Sequence, residues 1–302
     1  MDLFYYKGGN FGDDLNPWIW ETLAPELFDG ERDTLFLGIG TLINSNVPAA
    51  PLKVVFGTGV GYMSPATVDE KWQFSCVRGP LSAQRLGLDP SLAITDPAVL
   101  LTQVVGKAAM PHGRVCYMPH HVSARRADWA DICEKAGLVF LDPTADVKQT
   151  VEQIRGARLV ITEAMHGAIV ADAFRVPWIP TVAYDHILSF KWEDWCQSLG
   201  LCYAPEFLES VWDADRHLSL EALAKAKLKR GLKKTGIWSR NWTPPDPSPN
   251  RHRIEGAVVD RLMQLAATGE QFLSADVAHR KTLEQLLERL MEVKQSVAVA
   301  AW

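Results

Sequence analysis

Arg158-Leu159-Val160-Ile161-Thr162-Glu163-Ala164-Met165-His166-Gly167-Ala168 is the stretch that decides the fold. The apolar run Arg158–Thr162 reads as a buried strand, and the small residues from Met165 to Phe174 read as the helix that follows it. Trp178–Ala183 is apolar again, so the chain goes strand, helix, strand within about 25 residues, the length of a βαβ crossover with parallel strands. Toward the N-terminus the same alternation continues: a helix at Ala145–Arg155, a strand at Val139–Leu141, a helix at Ala127–Ala136 and a strand at Arg114–Met118. Gly106–Gly113, with Gly, Lys, Pro and His, interrupts it.

Before that break a first series is legible. Strands are expected at Asp2–Tyr6, Thr34–Ile39, Lys53–Phe56 and Phe74–Val77, with helical spacing from Leu15 to Leu23. Each strand ends near glycine or a turn, as in Gly38-Ile39-Gly40, Gly57-Thr58-Gly59-Val60-Gly61 and Arg78-Gly79-Pro80. The expected architecture is α/β: two Rossmann-like, doubly wound domains facing a cleft, followed by C-terminal helices. The boundaries expected are 1–108, 109–245 and 246–302. Ligands of such sheets lie outside the carboxyl ends of the strands. After residue 200 the pattern changes to a basic helix at Lys225–Lys234, a proline-rich breaker at Trp242–Asn250, and amphipathic helices at Arg251–Ala267 and Asp276–Ser296. The last carries Leu283, Leu286, Leu287, Leu290 and Val293 on one face, for packing on the body or for an oligomer contact.

With 302 residues, 47% hydrophobic and 22% charged, the composition is that of a globular protein with a sizeable core. A net charge of −5 argues against nucleic acid as partner, since that needs a strong basic face. The N-terminus has no charged and apolar leader, and no apolar run reaches membrane-spanning length. Cys76, Cys116, Cys133, Cys196 and Cys202 form no CxxC pair, so neither a zinc site nor a disulfide framework is expected, and the expected setting is cytoplasmic.

Several residues of chemical interest fall at strand–helix junctions. Asn10-Phe11-Gly12-Asp13-Asp14 follows the first strand, where glycine admits close approach and helix-start amides favour an anion. Two readings are open to Asp13: an N-cap, or a carboxylate free for proton transfer. His166, opening a helix after a buried strand, either packs there or binds an oxyanion and moves a proton. Arg78 is either a surface arginine or a planar fork for carboxylate or phosphate. Asp96 is first of all a helix cap. His120-His121 invites a metal, but adjacent histidines seldom point at one ion, so an anion or acceptor contact is the better reading. Lys191 and Trp192 either hold phosphate and stack on a sugar or form one face of an amphipathic helix.

In their order and spacing, Gly9-Asn10-Phe11-Gly12-Asp13, Val77-Arg78-Gly79-Pro80-Leu81-Ser82, Thr95-Asp96-Pro97-Ala98, Met118-Pro119-His120, Ala164-Met165-His166-Gly167 and Ile169–Pro177 resemble the polysaccharide pyruvyl transferases, especially their short bacterial exopolysaccharide members. The resemblance covers roughly residues 3–200. It implies two Rossmann-like domains similar to a large glycosyltransferase architecture. It also implies phosphoenolpyruvate as co-substrate with no other cofactor and no metal, and a pyruvate ketal on a sugar as product. By the same resemblance Arg78, Met165, His166 and Gly167 bind the donor; the acid and base that ketal formation needs are expected to be His166 and Asp13, with Asp13 assisting deprotonation of the acceptor hydroxyl. Asn10, Gly12, Asp14, Asp96, His120, Lys191 and Trp192 are the further substrate-binding candidates. Ala164 departs from the family pattern, since many relatives carry arginine two positions before the histidine; two readings are open, compensation by Arg125, Arg126 or Lys191, or a shifted donor preference. The expected partners are phosphoenolpyruvate, a saccharide acceptor that is free or lipid-linked, a second copy of the chain, and the inner membrane face through the basic run at Lys225–Lys234. Two competing readings are a sugar-nucleotide glycosyltransferase and a non-catalytic scaffold of a polysaccharide-synthesising complex.

Overall fold

The computed structural model describes residues 1–28, 33–61, 66–106, 113–212, 215, 218–240, 243, 246 and 250–300. The first unit contains β1 (Asp2–Phe4), α1 (Phe11–Leu23), β2 (Thr34–Leu37), β3 (Leu52–Phe56), β4 (Trp72–Cys76), α2 (Pro80–Leu86) and α3 (Leu101–Val104). All its strand pairs are parallel and their order is β1-β2-β3-β4. Here the doubly wound expectation is corrected. The sheet never reverses direction, and among the described residues no helix joins β2 to β3 or β3 to β4.

The second unit is β5 (Val115–Met118), α4 (Trp129–Lys135), β6 (Val139–Phe140), α5 (Val147–Arg155), β7 (Leu159–Thr162), α6 (Met165–Ala173), β8 (Trp178–Val182), α7 (Ser189–Ser198) and β9 (Glu206–Phe207). Its parallel sheet has the order β6-β5-β7-β8-β9, so the winding reverses between β5 and β7. That is a topological switch point, and a crevice opens at the carboxyl ends of the two strands. Alternate residues of β5 explain why both faces are covered. Val115 and Tyr117 pack with Trp129, Ile132, Val258 and Leu262, whereas Cys116 and Met118 join a core that continues to Phe36, Val54 and Phe56 of the first sheet. α6 lies wholly inside this second core, which is why its sequence is small and apolar on all sides.

Helices α8 (Leu220–Lys234), α9 (Arg251–Thr268) and α10 (Asp276–Ala300) follow. α9 packs on α4 and β7, and α10 returns to the first sheet at β4 and the turn Pro97–Leu100, burying Leu286, Leu290 and Val293. The apolar stripe of α10 is therefore spent on the body. Asp172 fastens the connection between α9 and α10, accepting from the Trp178 indole at 3.0 Å and from the Ser274 amide at 2.8 Å. α7 also crosses back, packing against α2. The expected domain boundaries at 108 and 245 fall outside the described residues, as does most of the proline-rich breaker.

Candidate functional site

Asn16 sets the position of the first element of the site. Its amide group donates to the carbonyls of Asp13 and Ile39, both at 3.1 Å, and its oxygen accepts from the Trp20 indole and the Ile39 amide. Every polar atom of this buried side chain is used, so α1 is pinned to the end of β2 and Asp13 is held over the carboxyl ends of β1 and β2. Asn10 caps α1 without a side-chain bond to its amides and instead donates to Asp13 Oδ2 at 2.7 Å. Asp13 is accordingly not the helix cap. Burial raises its pKa above the usual carboxylate value, against the lowering effects of the Asn10 hydrogen bond and the charges of His166 and Lys191.

The second element comes from β7. Ala164 offers α6 no side-chain cap, and His166 stands in the first turn of that helix. Its Nε2 lies 3.6 Å from Asp96 Oδ2, just beyond hydrogen-bond reach, and neither atom has another hydrogen-bond partner. Asp96 uses its other oxygen to cap the turn Pro97–Leu100, accepting from the Ala98 amide at 3.0 Å. The opposite edge of the imidazole rests on Gly12. A Cβ there would sit 1.9 Å from His166 Nδ1, so only glycine allows α1 to meet the ring this closely. Asp96, His166 and α1 are thus stacked in one line, with Asp13 one residue further on.

Gly12, Asp13 and His166 face a cavity of about 330 Å³ between the two sheets' carboxyl ends, with Asp96 buried behind the imidazole and off the cavity wall. Its walls include Asn10, Gly12, Asp13, His120, His121, Met165, His166 and Lys191, together with Tyr6, Thr41 and Asn44, which the sequence did not single out. Tyr6 and Asn44 hydrogen-bond each other, joining the loops after β1 and β2. Burial holds His120 well below its usual pKa and His121 at about 4, with Lys191 pushing both the same way. At neutral pH both rings are therefore uncharged; His120 Nδ1 accepts from the Val122 amide at 3.3 Å, which leaves its Nε2–H to donate, and His121 carries one donor and one acceptor, suited to hydroxyl groups. Lys191 is the lysine on the cavity wall. Arg125 lines a different depression, and Arg126 is stacked on Tyr184 and Trp212, 4.6 and 5.6 Å from the ring centres.

Five of the expected site residues lie off the cavity wall: Arg78, Trp192 and Asp14, and the buried Asp96 and Gly167. Arg78 does not line the cavity: its side chain is fully buried, its Nε is 3.0 Å from Asp194 Oδ2, and its other nitrogens donate to Thr41 Oγ1 and the Val60 carbonyl. It braces the Gly40–Thr41 wall from behind. Trp192 is buried against Tyr203, the rings 5.1 Å apart and nearly parallel, because neighbours on a helix point about 100° apart and Lys191 takes the cavity side. Asp14 lies outside the cavity wall, half-buried on α1.

A sequence model of polysaccharide pyruvyl transferases matches residues 4–186, a span holding both sheets' strand ends and every lining residue but Lys191. The chain belongs to the polysaccharide pyruvyl transferase family. It is also 38% identical over 269 residues to the succinoglycan biosynthesis protein ExoV of Rhizobium meliloti (strain 1021), covering 86% of this chain and 82% of the relative. Lys191 and Ala164 both line the cavity.

Glu163 is the functional neighbour that sequence reasoning missed. It is completely buried at the end of β7 and accepts from the amides of Ala183 at 2.8 Å and His120 at 3.2 Å, tying the ends of β8 and β5 to β7. A charged residue directly after an apolar strand was the available signal. Gly12→Ala is expected to lower turnover by about 100-fold, since displacing a reacting group by an ångström has that effect, whereas Gly256→Ala, on α9 away from the cavity and with nothing within 4 Å of the added Cβ, leaves turnover unchanged. Steady-state kinetics on the two variants check this.

Proposed function

We propose that the protein transfers pyruvate from phosphoenolpyruvate to two hydroxyls of a sugar in an exopolysaccharide or its lipid-linked precursor, forming a pyruvate ketal in the cytoplasm. The observation that carries the reading is the opposition of Lys191, His166 and the amino end of α6 to the buried carboxylate of Asp13 across one cavity. A donor bearing both a carboxylate and a phosphate needs cations and helix-start amides. The uncharged His120 and His121 and the amides of Asn10 and Asn44 suit a sugar.

The chemistry balances as follows. A proton adds to the methylene carbon of the donor, and the oxocarbenium-like centre so formed is attacked by the first sugar hydroxyl, whose proton passes to Asp13. The second hydroxyl then displaces phosphate and its proton leaves with the phosphate, so the products are the ketal and hydrogen phosphate. His166, braced by Asp96, is suited to hold the donor phosphate and to deliver the first proton.

Calorimetric titration with phosphoenolpyruvate, beside uridine diphosphate, tests the reading. Phosphoenolpyruvate is expected to bind, about 10- to 100-fold more weakly to Lys191→Ala and His166→Ala, the usual loss for a charge-assisted hydrogen bond. Binding of the nucleotide alone would favour a glycosyltransferase. Absence of binding and of turnover with any acceptor would favour a scaffold.

A further inference from the structure

Helix α8 buries the wrong residues for a helix whose outer face meets only water. Its buried positions are Ala226 and Arg230, while Leu220 is 87% exposed and Leu228 64% exposed. Arg230 faces inward because Asp215 takes both its terminal nitrogens, at 2.8 and 2.9 Å, and Trp212 lies under its guanidinium. With that arginine anchored inside, Leu220, Ala224 and Leu228, four residues apart, form an outward stripe. Lys225 and Lys227 stand on either side of it by the helical turn angle. Ile237, 76% exposed, extends the apolar surface beyond the helix. Between Leu220 and Lys234 there are six cationic side chains and one glutamate.

We propose that α8 and the turn after it form a peripheral contact with an anionic lipid surface. Exposed leucines flanked by lysines are the combination that lies in the headgroup region, with the apolar side chains inserted and the ammonium groups on lipid phosphates. The lysine pairs with Glu221, Asp185 and Asp246 do not oppose this, because exposed ion pairs are weak in water and exchange readily for phosphate. The leucines speak for a bilayer rather than a nucleic acid, which would engage the cations alone. No helix among the described residues is long and apolar enough to cross a membrane, so the contact lies on the surface.

A run of packed side chains joins the inner face of α8 to the cavity wall. Arg230 and Arg126 share Trp212, Arg126 covers Tyr184, Tyr184 stacks on His186 at 5.7 Å, and His186 lies 5.0 Å from His120 on the cavity wall.

Co-sedimentation of the full chain with vesicles tests this without reference to pyruvyl transfer. Phosphatidylcholine vesicles containing phosphatidylglycerol are expected to carry the protein down, and pure phosphatidylcholine to leave it in solution. Lys225→Gln with Lys227→Gln lowers the partition coefficient by about 25-fold, about fivefold for each lysine near the surface. Leu228→Ser lowers it by about tenfold. Both are exposed substitutions, and unchanged thermal unfolding establishes that the variants are folded. Equal binding to both vesicle types, binding indifferent to these substitutions, or binding to single-stranded DNA but not to vesicles would each overturn the proposal.

Discussion

Asp13→Asn is expected to lower kcat by about 10²- to 10⁴-fold, the range for loss of a positioned proton acceptor, while leaving the fold at least as stable. Asparagine keeps the shape and the contact with Asn10 Nδ2 but cannot accept the hydroxyl proton. The stability half follows from the direction of the pKa shift. Burial raises the Asp13 pKa above its ordinary 3.8, so the folded state favours the protonated acid. Stability from that preference is present in full below pH 3.8 and is lost as pH rises through the raised folded value. At neutral pH the ionised carboxylate therefore opposes folding, and the neutral amide removes that opposition. Thermal unfolding between pH 4 and 8 should show the variant gaining on the native protein as pH rises. A variant with full turnover would remove Asp13 from the reaction.

Legibility in the sequence follows how each element is buried. β7 and α6 are enclosed on all sides, so the apolar run and the small-residue run at Arg158–Ala168 announce both, and their junction is the site. The switch point between β5 and β7 follows from the same alternation of strands and helices. The first sheet gave way less readily. Its strands are marked by glycine turns, but the connections after β2 and β3 contain no described helix, and without one nothing in the spacing distinguishes a sequential sheet from a doubly wound one.

Side-chain direction was the harder part. Lys191 and Trp192 are adjacent, and only the packing of α7 between α2 and the second core decides that lysine faces the cavity and tryptophan the interior. Tyr6 and Asn44 were invisible for a related reason: their loops carry no junction motif and reach the cavity only because the two sheets face each other. Arg78 was legible as an arginine at a strand's end. Its partner, Asp194, lies 116 positions away on a helix that returns from the second unit, and no local pattern connects the two.

That pair carries the second large effect. Asp194→Ala is expected to destabilise the protein by about 3–5 kcal/mol, the cost of leaving a buried charge without its counter-ion. Asp194 Oδ2 accepts from Arg78 Nε at 3.0 Å and from Ser82 Oγ at 2.6 Å, and Oδ1 accepts from the Ser82 amide at 2.9 Å, with both charged side chains fully enclosed. Removing the carboxylate strands the guanidinium and unties α7 from the start of α2. Replacing both charges by apolar residues of similar volume, Arg78→Met with Asp194→Leu, should cost much less than the sum of the single changes, because no unpaired charge remains. Denaturant unfolding of the three variants gives the coupling directly. The same series separates a brace from a donor ligand. As a brace of Thr41 and Gly40, Arg78 acts on the proposed donor only through the cavity wall, so Arg78→Met should lose stability first and affinity modestly. A variant of native stability that had lost donor binding altogether would instead put the guanidinium in the cavity during turnover, and α7 would have to move to let it there.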